Sequence, residues 1–444
     1  MREDWIECEI GDVFDVVTGN TPSKANPLLY GGNIPFIKPP EINNKEVEDA
    51  SEFLTEEGAK VARILPKHSV LITCIGNLGR VAMNSKFEVA FNQQINALKP
   101  NKFVYPKYIY YKAQSSNFRN QLEELSTAVT VSLVNKTNFS KVRFPLPPLP
   151  EQRAIVKKLE SLFSSLDAGV ADLKKAQQQL KIYRQAVLKK AFEGEKREQK
   201  LINISEAIGG FAFKSPDFVE KGIYQVIRIG NIRPDLIRLD SNPVFVNQIN
   251  DKIRKYLLKD NDIVISLTGT RNKRDYGFSA LVKNENLLLN QRLAAIRFNE
   301  DCNPKYYLHY FSTDYFKDDF FSAETGNTGQ GNVGMNAIKE TLVPFPSLLI
   351  QNEIVKQIES RLSVCDSIEQ NIAAGLEKAE ALRQSILKKA FEGSLLTAQE
   401  LAECKFAADY EPASVLLERI KAEQKEIKAK PSKKKPRHSV AKYE

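Results

Sequence analysis

The side chains that can read base edges cluster in short turns on both halves of this 444-residue chain. Arginine and lysine suit guanine edges; asparagine and glutamine suit adenine. In the first half these are Lys24, Lys38, Asn77, Arg80, Gln93 and Gln94. In the second they are Lys214, Arg228, Arg271, Asn272, Lys273, Arg274, Gln291 and Arg292. The run 271–274 is the densest basic spot in either half and suits phosphates or a guanine. The amides at 92–94 and 290–291 have a competing reading, as groups that satisfy backbone at a strand end. Their recurrence at equivalent places favours that structural role.

Catalytic chemistry is not legible. No GxxxxGK[ST] loop cradles phosphates, and no GxGxxG opens a βαβ unit. The string 326–331 has the wrong glycine spacing. Lys38–Pro39–Pro40–Glu41 lacks the amide or carboxylate before the prolines and the aromatic after them that an amino-methyltransferase needs. Pro216–Asp217 with Glu220–Lys221 is one residue short of a PD…ExK nuclease constellation. His68, His309 and His438 are isolated, and the five cysteines never form a CxxC, so a structural zinc site is not expected. A binder is expected, with no cofactor held by this chain.

The elements that must position these side chains form a duplication. Residues 145–194 and 344–393 align without a gap at a shift of 199, with twenty of fifty positions identical. LKKAFEG closes both copies, at 188–194 and 387–393. Between Pro150 and Gly194 only Gly169 interrupts a helical pattern, and a helix of that length runs roughly 60 Å. Apolar residues recur at heptad spacing: Leu159, Leu166, Leu173, Leu180 and Val187 in the first copy. The matching seam of the second copy holds Ile358, Ile368, Ile372, Leu382 and Ile386. Each stripe needs a cover, and an antiparallel coiled coil of the two copies supplies both; the alternative is pairing between chains. Gly194 and Gly393 suit C-caps.

The flanking segments repeat an order of short strands and one aromatic helix. Phe36–Ile37–Lys38 parallels Val226–Ile227–Arg228, and Ser69–Thr73 parallels Asp262–Ser266. Residues 90–98 read as one amide-rich strand, and Pro106 opens a helix reaching about Leu122. The expected fold class is α+β: a tandem duplication of two mixed α/β domains separated by two long helices. The expected boundaries are 1–144, 145–194, 195–343, 344–393 and, for a C-terminal helix and basic tail, 394–444. The basic run 430–437 is either an arm that touches phosphates or a partner, or a solvated tail.

The net charge is +9, with 42% hydrophobic and 27% charged residues, the balance of an ordinary soluble protein. No apolar run is long enough to span a bilayer, so no membrane partner is expected. Scattered unpaired cysteines and no signal peptide point to the cytoplasm.

The alternation of two variable domains with two similar long helices resembles the DNA-specificity subunits of type I restriction–modification enzymes. The resemblance rests on Phe144–Gln152, on Val343–Gln351, on LKKAFEG, on Thr18–Ser23 and on Glu411–Ile420, and it covers essentially the whole chain. A departure is Leu349–Ile350–Gln351–Asn352, where the family pattern has Pro-Glu-Gln-Arg. The resemblance implies two target-recognition domains, each reading half of a split double-stranded DNA site. It implies two methyltransferase subunits and restriction/translocase subunits as partners. S-adenosylmethionine, ATP and magnesium would be bound by those partners. The competing reading is a non-catalytic rod whose end domains bind proteins.

Overall fold

The computed structural model describes residues 2–127, 131–194, 197–326 and 329–429, without the side chains of Asn272 and of 427–429. The basic run 430–437 lies outside the described residues. Two compact units emerge: residues 1–171 with 375–444, and residues 172–374. The division cuts through the long helices, Leu149–Phe192 and Leu348–Glu392. Each unit therefore contains the start of one long helix and the end of the other.

In the first unit two sheets share a core. One is antiparallel, ordered Val16–Thr18, Ile95–Leu98, Val70–Thr73, Val81–Met83. The other is ordered Phe53–Leu54, Tyr30–Ile37, Val89–Phe91, Ile64–Leu65, with its central pair parallel. Ile37, Leu65 and Phe91 from the second sheet bury against Leu71, Ala82 and Ala97 from the first. Three of the first sheet's four strands, Ile95–Leu98, Val70–Thr73 and Val81–Met83, are buried along every residue, because their other face packs on the helices. There Val70, Ile72 and Met83 meet Tyr108, Ile155, Leu159 and Leu387.

Residues 90–98 are not one strand. Val89–Phe91 and Ile95–Leu98 belong to different sheets, joined by the Asn92–Gln94 turn. Asn92 makes the turn, since its Oδ1 accepts from the Gln94 N–H at 2.8 Å. The expected helix from Pro106 also breaks, into Pro106–Ala113 and Ser116–Glu124. Ser115 causes it: its hydroxyl caps the second piece by accepting from the Phe118 N–H.

The second unit repeats this plan. One sheet is ordered Ser205–Gly209, Leu293–Phe298, Ile263–Ser266, Ser279–Leu281, and another Phe245–Val246, Tyr224–Ile227, Leu287–Leu289. Its aromatic helix is Pro304–Phe311. Gly19 and Gly210 hold equivalent places. A Cβ on either would lie 2.2 Å or less from the carbonyl oxygen of Asn92 or Asn290, so only glycine lets the opening strand pass that turn.

Within each unit the long-helix segments run antiparallel, the end of one against the start of the other, as the pairs Arg383–Asp167 and Arg184–Asp366 show. Leu159, Leu180, Val187, Ile358 and Ile372 are buried, and Leu166, Leu173 and Ile386 are half-buried. Ile368 and Leu382 do not belong to the seam, being 42% and 51% exposed. A straight helix drifts from a strict heptad, and arginine takes the place beside Leu382. Arg383 crosses to Asp167 and stacks 4.4 Å from the centre of the Phe163 ring. The duplicate bond appears in the second unit: Arg184 pairs with Asp366 at 2.6 Å and with Glu369 at 3.0 Å. Gly194 and Gly393 both adopt positive φ, +97° and +84°, as C-caps do.

Candidate nucleic-acid interface

The helix ends explain why the duplicated strings are alike. The LKKAFEG phenylalanine packs edge-on to the tyrosine of the aromatic helix, Phe391 on Tyr108 at 5.3 Å and Phe192 on Tyr306 at 5.1 Å. Gln152 and Gln351 are fully buried in the first turn of each long helix. Gln152 accepts from the Tyr105 N–H at 2.8 Å and donates to the carbonyls of Pro147 and Phe103 at 2.9 and 3.4 Å. Gln351 accepts from the Asn303 N–H at 2.7 Å and donates to Pro346 and Asp301 at 2.9 and 3.3 Å. Sequence reasoning used both glutamines only as signature residues. Their identity at equivalent places was the available signal, but the loop groups they bind, at 103 and 105 and at 301 and 303, are distant in the chain.

On this common frame sit two different sets of loops. In the first unit a chain of contacts links most of the predicted side chains. Lys24 and Lys38 share Glu52, at 3.7 and 3.5 Å. Lys38 opens the turn Pro39–Glu41, and Arg80 donates to the Pro40 carbonyl at 3.4 Å. Thr21 donates to Gln93 and accepts from Asn92, which ties the loop of Lys24 to the strand turn. Asn77 is exposed in the turn after Thr73, whose hydroxyl donates to its carbonyl at 2.6 Å. Gln94 is half-buried, and its carbonyl accepts from the Cys74 N–H.

The second unit departs most at one place. In the first unit, residues 75 and 133 form a single antiparallel bridge. In the second, the equivalent contact grows into a three-stranded ribbon: Thr268–Thr270, Gln330–Val333 and Glu324–Thr325. The ribbon carries the 271–274 turn. Arg271 Nε donates to Glu324 at 2.8 Å, and the Arg274 guanidinium lies 4.8 Å over the Phe321 ring. Lys273 is exposed beside them; Arg274 has a φ of +46°. Tyr276 donates to Glu324, and burial together with that carboxylate raises its phenol above the ordinary range. The side chain of Asn272 lies outside the description.

Beside the ribbon opens a groove of about 760 Å³, lined by Arg233, Thr268, Thr270, Asp275, Phe278 and Gln330 among others. The turn 229–231 forms another wall, and Arg228 heads that turn, with Nη2 donating to the Asn242 carbonyl at 2.5 Å. Arg233, Thr268, Thr270 and Gln330 escaped sequence reasoning, because nothing local marks residues of separate strands as neighbours. Arg292 is exposed with a φ of +71°, and Lys214 is exposed at the head of the turn 215–217. Neither lines the groove. The groove has donors, acceptors and an aromatic edge at base-reading scale. Among the described residues no cluster of histidine, cysteine and acids could hold a metal, and no helix is long and apolar enough to cross a membrane.

Comparison with known proteins supplies the family. A profile described as the type I restriction modification DNA specificity domain matches residues 2–176 and again 194–378. The chain is 27% identical over 457 residues to the EcoKI specificity subunit of Escherichia coli K12, covering 96% of each chain. It is 27% identical over 454 residues to the StySPI specificity subunit of Salmonella potsdam, again covering 96% of each. Among solved structures, a chain reported under complex assembly and conformational transition of the type I R-M system superposes with a TM-score of 0.72. That match has 19% identity and covers 89% of this chain and 99% of that one. The HsdS subunit of Thermoanaerobacter tengcongensis gives a TM-score of 0.52 at 17% identity, covering 89% of this chain and 98% of that one.

Proposed function

The chain belongs to the type I restriction–modification DNA specificity family, and on that premise we propose that it reads a bipartite double-stranded DNA target, one half per unit, and directs modification and restriction subunits there. It is the specificity subunit and carries no catalysis of its own. The observation that carries this reading is a common frame bearing unlike loops. The Arg–Asp bond, the buried glutamine and the phenylalanine–tyrosine contact occur once in each unit. Among the described residues, the ribbon and its 271–274 turn occur only in the second. Equal frames suit equal neighbours; unequal faces suit an asymmetric sequence.

In this reading the first half-site is met by Lys24, Lys38, Asn77, Arg80, Gln93 and Gln94. The second is met by Lys214, Arg228, 271–274 and Arg292, together with Arg233 and Gln330 of the groove. Two methyltransferase subunits and restriction/translocase subunits complete the complex. They hold S-adenosylmethionine, ATP and magnesium, and the complex works in the cytoplasm.

The test is selection from random duplex DNA by the chain with its methyltransferase, read as methylated sites. A split motif is expected. Changing Arg271→Ala with Arg274→Ala should relax only the second half, by about 1–3 kcal/mol for each lost base contact. Absence of any split motif overturns the DNA reading; relaxation confined to the first half overturns the assignment of units to half-sites.

A further inference from the structure

In the first unit the C-terminal segment covers a definite surface. Helices Ala398–Lys405 and Ala413–Ala429 lie against the short helix Ile10–Val13, the loop 101–105 and the first turns of the long helix. Ion pairs anchor them: Glu400 to Lys158 at 2.7 Å, Asp409 to Arg153 at 2.8 Å and Glu423 to Lys102 at 2.7 Å. Lys421 approaches Asp12 at 3.8 Å, and Arg419 lies 5.1 Å over the Phe103 ring. Leu416 and Ile420 are buried beneath.

The second unit builds the same surface from the short helix Leu201–Ile204, the loop 299–303 and the first turns of Leu348–Glu392. Hydrogen bonds fix the equivalence. Asn101 Nδ2 donates to the Val13 carbonyl and Asn299 N–H to the Ile204 carbonyl, both at 3.0 Å. The Tyr105 and Asn303 N–H groups donate to Gln152 and Gln351. Here the duplication leaves no covering segment among the described residues of the unit, which spans residues 172–374. Ile202, Leu348, Leu349 and Ile350 are exposed by 48%, 38%, 78% and 44%. Leu348–Ile350 is thus an exposed apolar turn where the first unit has Leu149–Pro150–Glu151, with Glu151 bonded to Trp5.

The charge around this surface also changes. The positions of Arg153 and Lys158 hold Asn352 and Gln357, and those of Lys102 and Phe103 hold Glu300 and Asp301. Glu300, Asp301 and Glu353 are exposed. A second copy of the C-terminal segment would bring Glu423 against Glu300 and set Asp409 and Glu400 against Asn352 and Gln357 in place of Arg153 and Lys158. The surface is apolar, and in its rim the three acids outnumber one exposed cation, Lys356, so it disfavours an acidic cover and suits a basic one.

We propose that this face of the second unit docks an amphipathic helix of another protein chain, one whose apolar side is edged by lysine and arginine. The inference rests on the duplication and not on the DNA reading. It predicts binding whether or not any split target is found.

The probe is a fluorescein-labelled peptide of residues 413–429 carrying Glu418→Lys, Glu423→Lys and Glu426→Lys, titrated with the full chain and read by anisotropy. The parent peptide is the comparison. The cationic peptide is expected to bind about tenfold more tightly than the parent. Leu349→Ser with Ile350→Ser should weaken it about tenfold, and Glu300→Lys with Asp301→Lys should reverse the preference between peptides. All four side chains are exposed, so circular dichroism should show unchanged folding. No saturable binding of the cationic peptide, or binding indifferent to both double variants, overturns the proposal.

Discussion

Replacing the buried Gln152 by methionine should loosen the first unit and leave the second as it is. Gln152 is fully buried and is the hydrogen-bond partner of three backbone groups. Methionine keeps the length of the side chain and most of its packing, so the change isolates the amide. Each buried backbone group left without a partner costs about 1–3 kcal/mol. The 3.4 Å contact to Phe103 is weak and the other two are short, so the loss should be about 3–5 kcal/mol. Amide hydrogen exchange gives the local readout. In Gln152→Met the Tyr105 N–H should lose protection while the Asn303 N–H keeps it; Gln351→Met should do the reverse. Denaturant unfolding gives the magnitude. A loss below about 1 kcal/mol, or unchanged exchange at Tyr105, would refute the view that these glutamines hold the loop to the helix.

Arg383→Ala should cost more than Arg184→Ala, measured by urea unfolding. Arg383 loses one partly exposed ion pair and Arg184 two that share one guanidinium nitrogen, about 1 kcal/mol or less in either case, but Arg383 also loses its stack on Phe163, about 0.5–1 kcal/mol more. The counterpart of Phe163 is Leu362, which offers no ring. Lys112 gives a pH signature. Burial lowers its ammonium from 10.5 to about 8, although it donates to Asn117 and lies 5.4 Å over Phe391. The folded state thus binds fewer protons than the unfolded one between about pH 8 and 10.5, so stability rises with pH across that window. Below it the buried charge costs about 3 kcal/mol. Lys112→Met should therefore stabilise the chain at pH 7, and its advantage over the parent should shrink toward pH 10.5. A constant difference across that range would place the ammonium in water.

Much was legible because it is local. Helix period, proline and glycine punctuation and direct repetition lie within a few residues of each other, so the long helices, their caps and the duplication follow from sequence alone. The lack of any phosphate loop or nuclease constellation is legible for the same reason. Choices among distant neighbours were not. Heptad counting put Ile368 and Leu382 in the seam, because it cannot know that Arg383 crosses to Asp167 and Phe163. Residues 90–98 read as one strand, because periodicity does not show that Asn92 turns the chain by accepting from Gln94 or that Gly19 passes close to its carbonyl.

The candidate site divides in the same way. Residue chemistry picked out Arg228 and the 271–274 turn, since basic side chains announce themselves. It passed over Arg233, Thr268, Thr270 and Gln330, which become one groove only when the ribbon pairs Thr268–Thr270 with Gln330–Val333. The sequence by itself determined that one frame is made twice and that its loops differ. Tertiary structure alone decided which loop residues meet and which apolar turn is left open at Leu348–Ile350. The physical reason is range: propensity and periodicity act along a few residues of chain, whereas burial, ion pairing and backbone approach are settled by partners that only folding brings near.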